Sequence, residues 1–153
     1  MRLLKLFVLL SFIILSACGY KAMNNVYDLK FEIIDFDLNG DKKINQYLER
    51  NFLRFSENKN SDRSFEIKTN SKYIKTVTSK DTTGKETGFS IKVIIKLDVL
   101  ENNQILASNI FEKNISYNNL NSQFELKQYE NVLIKDLTDQ IILNINNYIG
   151  SIQ

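Results

Sequence analysis

The sequence predicts an α+β fold, a two-layer α/β sandwich in which about four mostly antiparallel strands carry two helices. Three observations predict it. Segments of alternating apolar and polar residues occur four times, and two further segments have apolar residues at helical spacing. Their order along the chain is strand, helix, three strands, helix. A meander sheet covered by both helices is the simplest arrangement that buries these apolar faces.

The first strand and the first helix come early in the predicted domain. Residues 29–37 (LKFEIIDFD) are apolar at every other position over most of their length, which predicts a strand. Residues 39–41 (NGD) are turn residues that also supply an acidic N-cap, and residues 42–56 follow as an amphipathic helix. The apolar face of this helix consists of Ile44, Tyr47, Leu48, Phe52 and Phe55.

Three strands complete the predicted sheet. We place them at residues 65–80, 89–101 and 105–117, with the polar loop 81–88 between the first two. Asn102-Asn103 is a two-residue hairpin turn, because asparagine tolerates the positive φ that such turns need. The middle strand alternates most clearly, which predicts one buried face. The residues of that face are Phe89, Ile91, Val93, Ile95, Leu97 and Val99, and those of the other face are Ser90, Lys92, Lys96 and Asp98.

A long helix is predicted near the end of the chain. Ser122 and Glu125 match a capping box, in which the serine hydroxyl accepts a backbone N–H of the first turn. Gly150 is expected to end the helix, since glycine is favoured just past a helix C-terminus. The apolar face between them is predicted to consist of Tyr129, Val132, Leu133, Leu137, Ile141, Ile145, Tyr148 and Ile149.

The amino terminus has the layout of a secretory signal. Arg2 and Lys5 precede an apolar run at residues 6–15, which at ~1.5 Å per residue spans about 15 Å, half of a bilayer core. Leu15-Ser16-Ala17-Cys18 then resembles a bacterial lipobox, in which the cysteine thiol accepts diacylglycerol. The alternative is a membrane-anchor helix with an incidental cysteine, but the order of charge, apolar run, small pair and cysteine favours lipidation of Cys18.

The predicted organisation has three parts: a lipoprotein signal peptide at residues 1–17, a lipidated leader at 18–28 and a single α/β domain at 29–153. Stable anchoring needs two or three acyl chains, because a single chain binds a membrane only marginally. Gly19 stands where an aspartate would resemble an inner-membrane retention signal. We therefore expect an outer-membrane protein, lipid-anchored on the periplasmic side.

Composition argues against several classes of function. The sequence contains no histidine, and its one cysteine is predicted to be lipidated, so the common general bases, nucleophile pairs and transition-metal ligands are missing. Lys and Arg number 20 against 18 Asp and Glu. Because the signal peptide carries Arg2 and Lys5, the mature chain has no net formal charge, which gives no support to nucleic-acid binding. We expect no enzyme activity, no cofactor and no metal.

Residues 35–41 (DFDLNGD) resemble the start of a calcium loop. In an EF-hand register that begins at Asp35, the twelfth position should be a bidentate glutamate but is Gln46. In a dockerin-like register that begins at Asp37, the twelfth position is Leu48. Neither register completes a calcium cage, so a strand-to-helix turn with an acidic N-cap is the favoured interpretation.

Lysines recur on two neighbouring strands, at the tip between them and at the start of the last helix. A basic cluster of this kind could bind the phosphates of an anionic lipid head group. The alternative is a solvated sheet face with lysines that protect the strand edge. The lysines concerned are Lys72, Lys75, Lys80, Lys85, Lys92 and Lys127, of which Lys80, Lys85 and Lys127 are the candidate phosphate ligands.

Several segments resemble the LPS-assembly lipoproteins of the LptE family. Residues 15–20 (LSACGY) resemble the start of the family, although Lys21-Ala22-Met23 follows where the family often has Leu-Arg-Gly. Residues 71–100 are similar to its central hairpin, and residues 129–145 are similar to its final helix. The resemblance spans most of the mature chain, and each of its motifs is moderately specific.

The resemblance implies a non-catalytic partner of LptD, an outer-membrane β-barrel. The family member lies in the barrel lumen, assists barrel assembly and helps to insert lipopolysaccharide into the outer leaflet. Two other classes stay open. A periplasm-facing lipoprotein that activates a cell-wall synthase would need a longer tether than the roughly ten-residue leader, at ~3.3–3.6 Å per residue. A lipoprotein hydrolase would need a serine–carboxylate or serine–lysine pair.

Overall fold

The computed structural model describes residues 31–56, 61 and 63–152. The predicted order of strand, helix, three strands and helix is confirmed, as is the α+β class. The signal peptide, Leu29 and the lipidated leader with Cys18 lie outside the described residues. The elements are β1 (Phe31–Gly40), α1 (Lys42–Phe52), β2 (Arg63–Lys80), β3 (Glu86–Glu101), β4 (Gln104–Asn118) and α2 (Gln123–Ser151).

The four strands form one mixed sheet in the order β1-β2-β3-β4. The β2–β3 and β3–β4 pairs are antiparallel hairpins, whereas β1 runs parallel to β2. A parallel pair needs a crossover connection, and α1 provides it. Both helices pack on the same face of the sheet, α1 against β1 and β2 and α2 against β3 and β4, and they contact each other. The result is the predicted two-layer sandwich.

The alternation of β3 fixes which face of the sheet is covered. All six residues of its predicted buried face are buried, whereas Ser90, Lys92 and Asp98 on the other face are half-buried and Lys96 is exposed. Phe31 and Ile33 of β1 add to the core beneath α1. The face opposite the helices has no covering layer among the described residues.

The turn from β1 into α1 depends on two neighbouring residues. Gly40 has φ +103°, and a Cβ on it would lie 1.9 Å from the backbone oxygen of Ser71. Asp41 then caps α1, because its Oδ1 accepts from the backbone N–H of Lys43 at 2.9 Å and of Ile44 at 3.0 Å. This is the acidic N-cap favoured above over a calcium loop.

The ends of α2 differ slightly from the prediction. The hydroxyl of Ser122 accepts the backbone N–H of Glu125 at 3.3 Å, as the capping box predicts. The helix runs through Gly150 to Ser151, so the expectation that Gly150 ends it is wrong by one residue. Tyr129 and Val132 are 42% and 53% exposed, because the buried face is rotated toward neighbouring apolar residues. Those neighbours are Leu126, Ile134 and Ile142.

Candidate functional site

The three candidate lysines all lie at one end of the sandwich, which we call the hairpin end. It comprises the tip of the β2–β3 hairpin and the first turns of α2. Asn119, just before α2, donates its backbone N–H to Thr87 O at 2.9 Å and its Nδ2 to Glu86 O at 2.8 Å. These two bonds hold the connection between β4 and α2 beside the start of β3.

The loop at the tip is ordered around one carboxylate. Asp81 Oδ1 accepts from Thr83 N at 2.8 Å, from Thr83 Oγ1 at 2.7 Å and from Lys85 N at 3.0 Å. The Thr83 hydroxyl, more than any other contact, holds the pKa of Asp81 below its usual range. Asp81 therefore stays ionised and organises the loop, and Gly84 supplies the positive φ of +85° that the turn needs.

Lys80, Lys85 and Lys127 are all exposed. Lys80 is the last residue of β2 and lies opposite Glu86, Lys85 closes the loop, and Lys127 lies near the start of α2. None of the three forms an ion pair within the described part of the chain. Their ammonium groups are therefore available to an anionic ligand, and their role in phosphate binding stays a prediction.

The other lysines of the expected cluster do not join them. Lys75 lies on the helix side of the sheet and donates to Glu130 Oε1 at 2.6 Å. Lys72 and Lys92 are on the uncovered side, where Lys92 lies 3.4 Å from Glu112. Successive residues of a strand point to opposite faces, so lysines at 72, 75 and 92 cannot form one patch.

A polar and aromatic cluster that was not predicted from the sequence surrounds Lys75. Glu130 Oε1 also accepts from the hydroxyl of Tyr117 at 2.7 Å, and Lys75 Nζ lies 4.0 Å from the ring centroid of Phe89. The rings of Phe89 and Tyr117 are 5.7 Å apart, and those of Tyr117 and Tyr129 are 5.9 Å apart. Only the register of β2, β3 and β4 together brings these residues into contact, and the sequence alone did not give that register.

The electrostatics of this cluster keep Tyr117 neutral. Burial raises the pKa of Tyr117 most, and the hydrogen bond and negative charge of Glu130 raise it further. Tyr117 is therefore a fixed hydrogen-bond donor. Glu130 in turn neutralises Lys75. The cluster links β2, β4 and α2 and supports the hairpin end.

A half-open apolar surface lies next to this cluster on the helix side. It consists of Tyr73, Val77 and Tyr129, whose exposed fractions are 44%, 43% and 42%. Because β1 turns into α1 at the level of Ser71, α1 does not extend over this part of β2.

Within the described residues, no group of three or more acidic, histidine or cysteine side chains is placed to hold a metal ion. Asp35 accepts the N–H of Phe36, Asp37 accepts the side chain of Asn39, and Asp41 caps α1. None of the helices in ranges 31–56 and 63–152 combines the length and the apolar character that crossing a membrane requires.

Solved bacterial lipoproteins share this fold. Rare lipoprotein B from Shewanella oneidensis is 14% identical, with 76% of this chain and 94% of that chain covered and a TM-score of 0.59. Lipoprotein B from Nitrosomonas europaea is 21% identical, with 83% and 87% covered and a TM-score of 0.57. A minor lipoprotein from Acinetobacter baumannii is 14% identical, with 76% and 90% covered and a TM-score of 0.56.

At these sequence identities, the similarity to the solved lipoproteins shows a shared fold alone. No protein-family model matches the chain, and no curated protein sequence matches it either.

Proposed function

We propose that this chain is an outer-membrane lipoprotein that partners a β-barrel translocon of the LptD kind, assists its assembly and helps to insert lipopolysaccharide into the outer leaflet. The observation that carries the proposal is the combination of a lipobox at Cys18 with a sandwich shared with solved bacterial lipoproteins. The resemblance of the sequence to the LptE family supports the two finer parts of the proposal, a β-barrel partner and lipopolysaccharide as the lipid. In this role the chain is a binding partner and carries out no catalysis.

The hairpin end supplies the chemistry that the proposed lipid requires. Lys80, Lys85 and Lys127 carry exposed ammonium groups without ion pairs in the described ranges. Phosphates on a lipid head group form charge-assisted hydrogen bonds with such groups. Asp81 is occupied by the loop, because its Oδ1 accepts three local hydrogen bonds.

Affinity purification of the full-length lipoprotein from membranes solubilised in mild detergent tests the partnership. Mass spectrometry should identify a large β-barrel protein in stoichiometric amount. Recovery of a cell-wall synthase instead would favour the alternative, a periplasm-facing lipoprotein that activates that enzyme. Recovery of no barrel protein would contradict the proposal. An unrelated lipoprotein with the same tag is the control for co-solubilised membrane proteins.

A further inference from the structure

Half of β2 has a free edge. Its pairing with β1 ends at Gly40 and Ser71, whereas its pairing with β3 continues to Lys80 and Glu86. Beyond Ser71, no strand in the described part of the chain lies beside β2 on the side that β1 leaves. Natural sheets normally keep such edges short, charged or covered, since a free edge can pair with another chain.

The direction of the backbone groups along this edge follows from one hydrogen bond. Ser71 O accepts the N–H of Asp41 at 2.9 Å, so the backbone of Ser71 points toward β1. In an antiparallel ladder both backbone groups of a residue point to the same side, and the side alternates. The N–H and C=O of Tyr73, Lys75 and Val77 therefore point to the free edge, and those of residues 72, 74 and 76 point to β3.

The side chains that flank this edge are partly apolar on both faces. Tyr73 and Val77 on the helix side are 44% and 43% exposed, and Ile74 on the other side is 42% exposed. The segment also has defined ends, because Ser71 is bonded to the start of α1 and a bulge follows Val77. The free stretch from Lys72 to Val77 is about 20 Å long at ~3.3 Å per residue.

The charges along this edge of β2 favour an acidic binding partner. Residues 72–80 contain three lysines and no acidic residue. Lys75 is neutralised by Glu130, whereas Lys72 and Lys80 form no ion pair with a described residue. If a second copy paired along this edge, two stretches that each carry lysines and no acidic residue would lie side by side, and like charges directly opposite are destabilising.

We propose that the edge of β2 from Lys72 to Val77 accepts an extended, acidic polypeptide segment of a partner protein as an additional strand. Main-chain hydrogen bonds to Tyr73, Lys75 and Val77 hold the segment, and its carboxylates lie close to the ammonium group of Lys72. The proposal goes beyond the function proposed above and does not depend on a barrel or on lipopolysaccharide, since the edge alone carries it.

Residue-resolved amide hydrogen exchange on the full mature chain in mild detergent tests this proposal. The probe is a seven-residue peptide of alternating glutamate and valine, and the control is the same peptide with lysine for glutamate. With the acidic probe we expect exchange to slow at least about tenfold at Tyr73, Lys75 and Val77. The amides of residues 72, 74 and 76 already face β3, so their exchange should stay unchanged.

Two variants of Tyr73 separate strand addition from other binding. Tyr73→Pro removes an edge N–H without removing a bond to β3, and proline is tolerated on edge strands, so we expect at least a tenfold loss of probe affinity. Tyr73→Val keeps the N–H and the strand propensity and should bind like the native chain.

Four outcomes would overturn the proposal: equal binding of the lysine peptide, no binding of the acidic peptide at millimolar concentration, equal binding by both variants, or edge amides already protected without peptide. Protection without peptide would mean that a segment of this chain or a second copy covers the edge. Because the exchange measurement uses the native sequence, the test holds even if Tyr73→Pro fails to fold.

Discussion

Glu130 Oε1 receives hydrogen bonds from both Lys75 Nζ and Tyr117 OH, at 2.6 and 2.7 Å. Burial and then Glu130 raise the pKa of Tyr117 above its ordinary value of 10.0. A raised pKa favours the neutral phenol in the folded state. The contribution of Tyr117 to the free energy of unfolding is therefore fully present below pH 10.0 and is lost as the pH rises through the folded-state pKa of this residue.

Tyr117→Phe should accordingly make unfolding less sensitive to alkaline pH. The measurement is the free energy of unfolding in urea at about pH 8 and about pH 11, for the variant and the native chain. Tyr129→Phe, which changes a neighbouring exposed tyrosine, is the matched control. An identical alkaline decline in all three proteins would show that the Tyr117 hydroxyl does not titrate as described.

The three candidate phosphate ligands are tested together. We expect the combined change of Lys80, Lys85 and Lys127 to glutamine to weaken binding of purified lipopolysaccharide by roughly tenfold or more, at ~1.5–3 kcal/mol for each charged hydrogen bond that is made. Lys68→Gln changes an exposed lysine on the uncovered sheet face and should have little effect. Titration with fluorescent lipopolysaccharide at two salt concentrations measures the affinity of both variants. Equal weakening by Lys68→Gln would point to a diffuse charge effect instead of a site.

The two faces of the sheet differ in how much the free energy of unfolding falls when a side chain is truncated. Ile95 is fully buried, and Ile95→Ala should lower the free energy of unfolding by about 2–5 kcal/mol because it leaves a cavity. Ile110 is 61% exposed on the uncovered face, and Ile110→Ala should change stability by less than about 0.5 kcal/mol. Urea unfolding measures both. A large loss for Ile110→Ala would mean that a further layer covers that face.

At the scale of elements, the junction between β1 and α1 depends on Gly40. A Cβ there would lie 1.9 Å from Ser71 O, so Gly40→Ala must displace the backbone where β1, β2 and α1 meet. Gly84 also has positive φ, but a Cβ on it would meet nothing within 4 Å. We therefore expect Gly84→Ala to cost about 1–2 kcal/mol, from backbone strain alone, and Gly40→Ala to cost clearly more. Comparable urea midpoints for both variants would contradict this.

The elements that were predicted best from sequence are those with local signals. Asn102 and Asn103 have φ of 52° and 61°, as a two-residue hairpin turn requires. Asp41 and Ser122 cap the two helices as predicted. The buried face of α2 was harder to predict, because Tyr129 and Val132 fit the helical period but are largely exposed. Helical spacing identifies a face to within about one residue, and tertiary packing then selects its centre.

At the scale of the molecule, the sequence placed the three candidate lysines by charge and by position in the chain, and the fold brings them to one end. The polar cluster around Glu130 and the free edge of β2 were not predicted. Both depend on register and on where β1 stops pairing at Gly40, and these properties emerge only when strands distant in sequence are placed side by side.

The described chain begins at the end of the molecule opposite the hairpin end. β1 begins at Phe31, beside Arg63 at the start of β2. At that end Arg63 binds Glu101 and the backbone oxygen of Ile152. The 18 residues of β2 extend roughly 60 Å from there to Lys80. The chain between Cys18 and Phe31 spans at most about 45 Å when fully extended.

The lipid anchor can be tested without disturbing the fold. If an ordinary cleaved secretory signal replaces residues 1–17 and Ser replaces Cys18, the chain has no thiol to accept diacylglycerol. We expect the purified variant to partition into the aqueous phase of a detergent phase separation, because two or three acyl chains supply the anchor and no helix in the described ranges replaces them. The native chain should enter the detergent phase, and its intact mass should show a start at Cys18 with added lipid. A Ser variant that also enters the detergent phase would show that the folded domain itself binds the membrane, which would contradict anchoring through the lipid on Cys18.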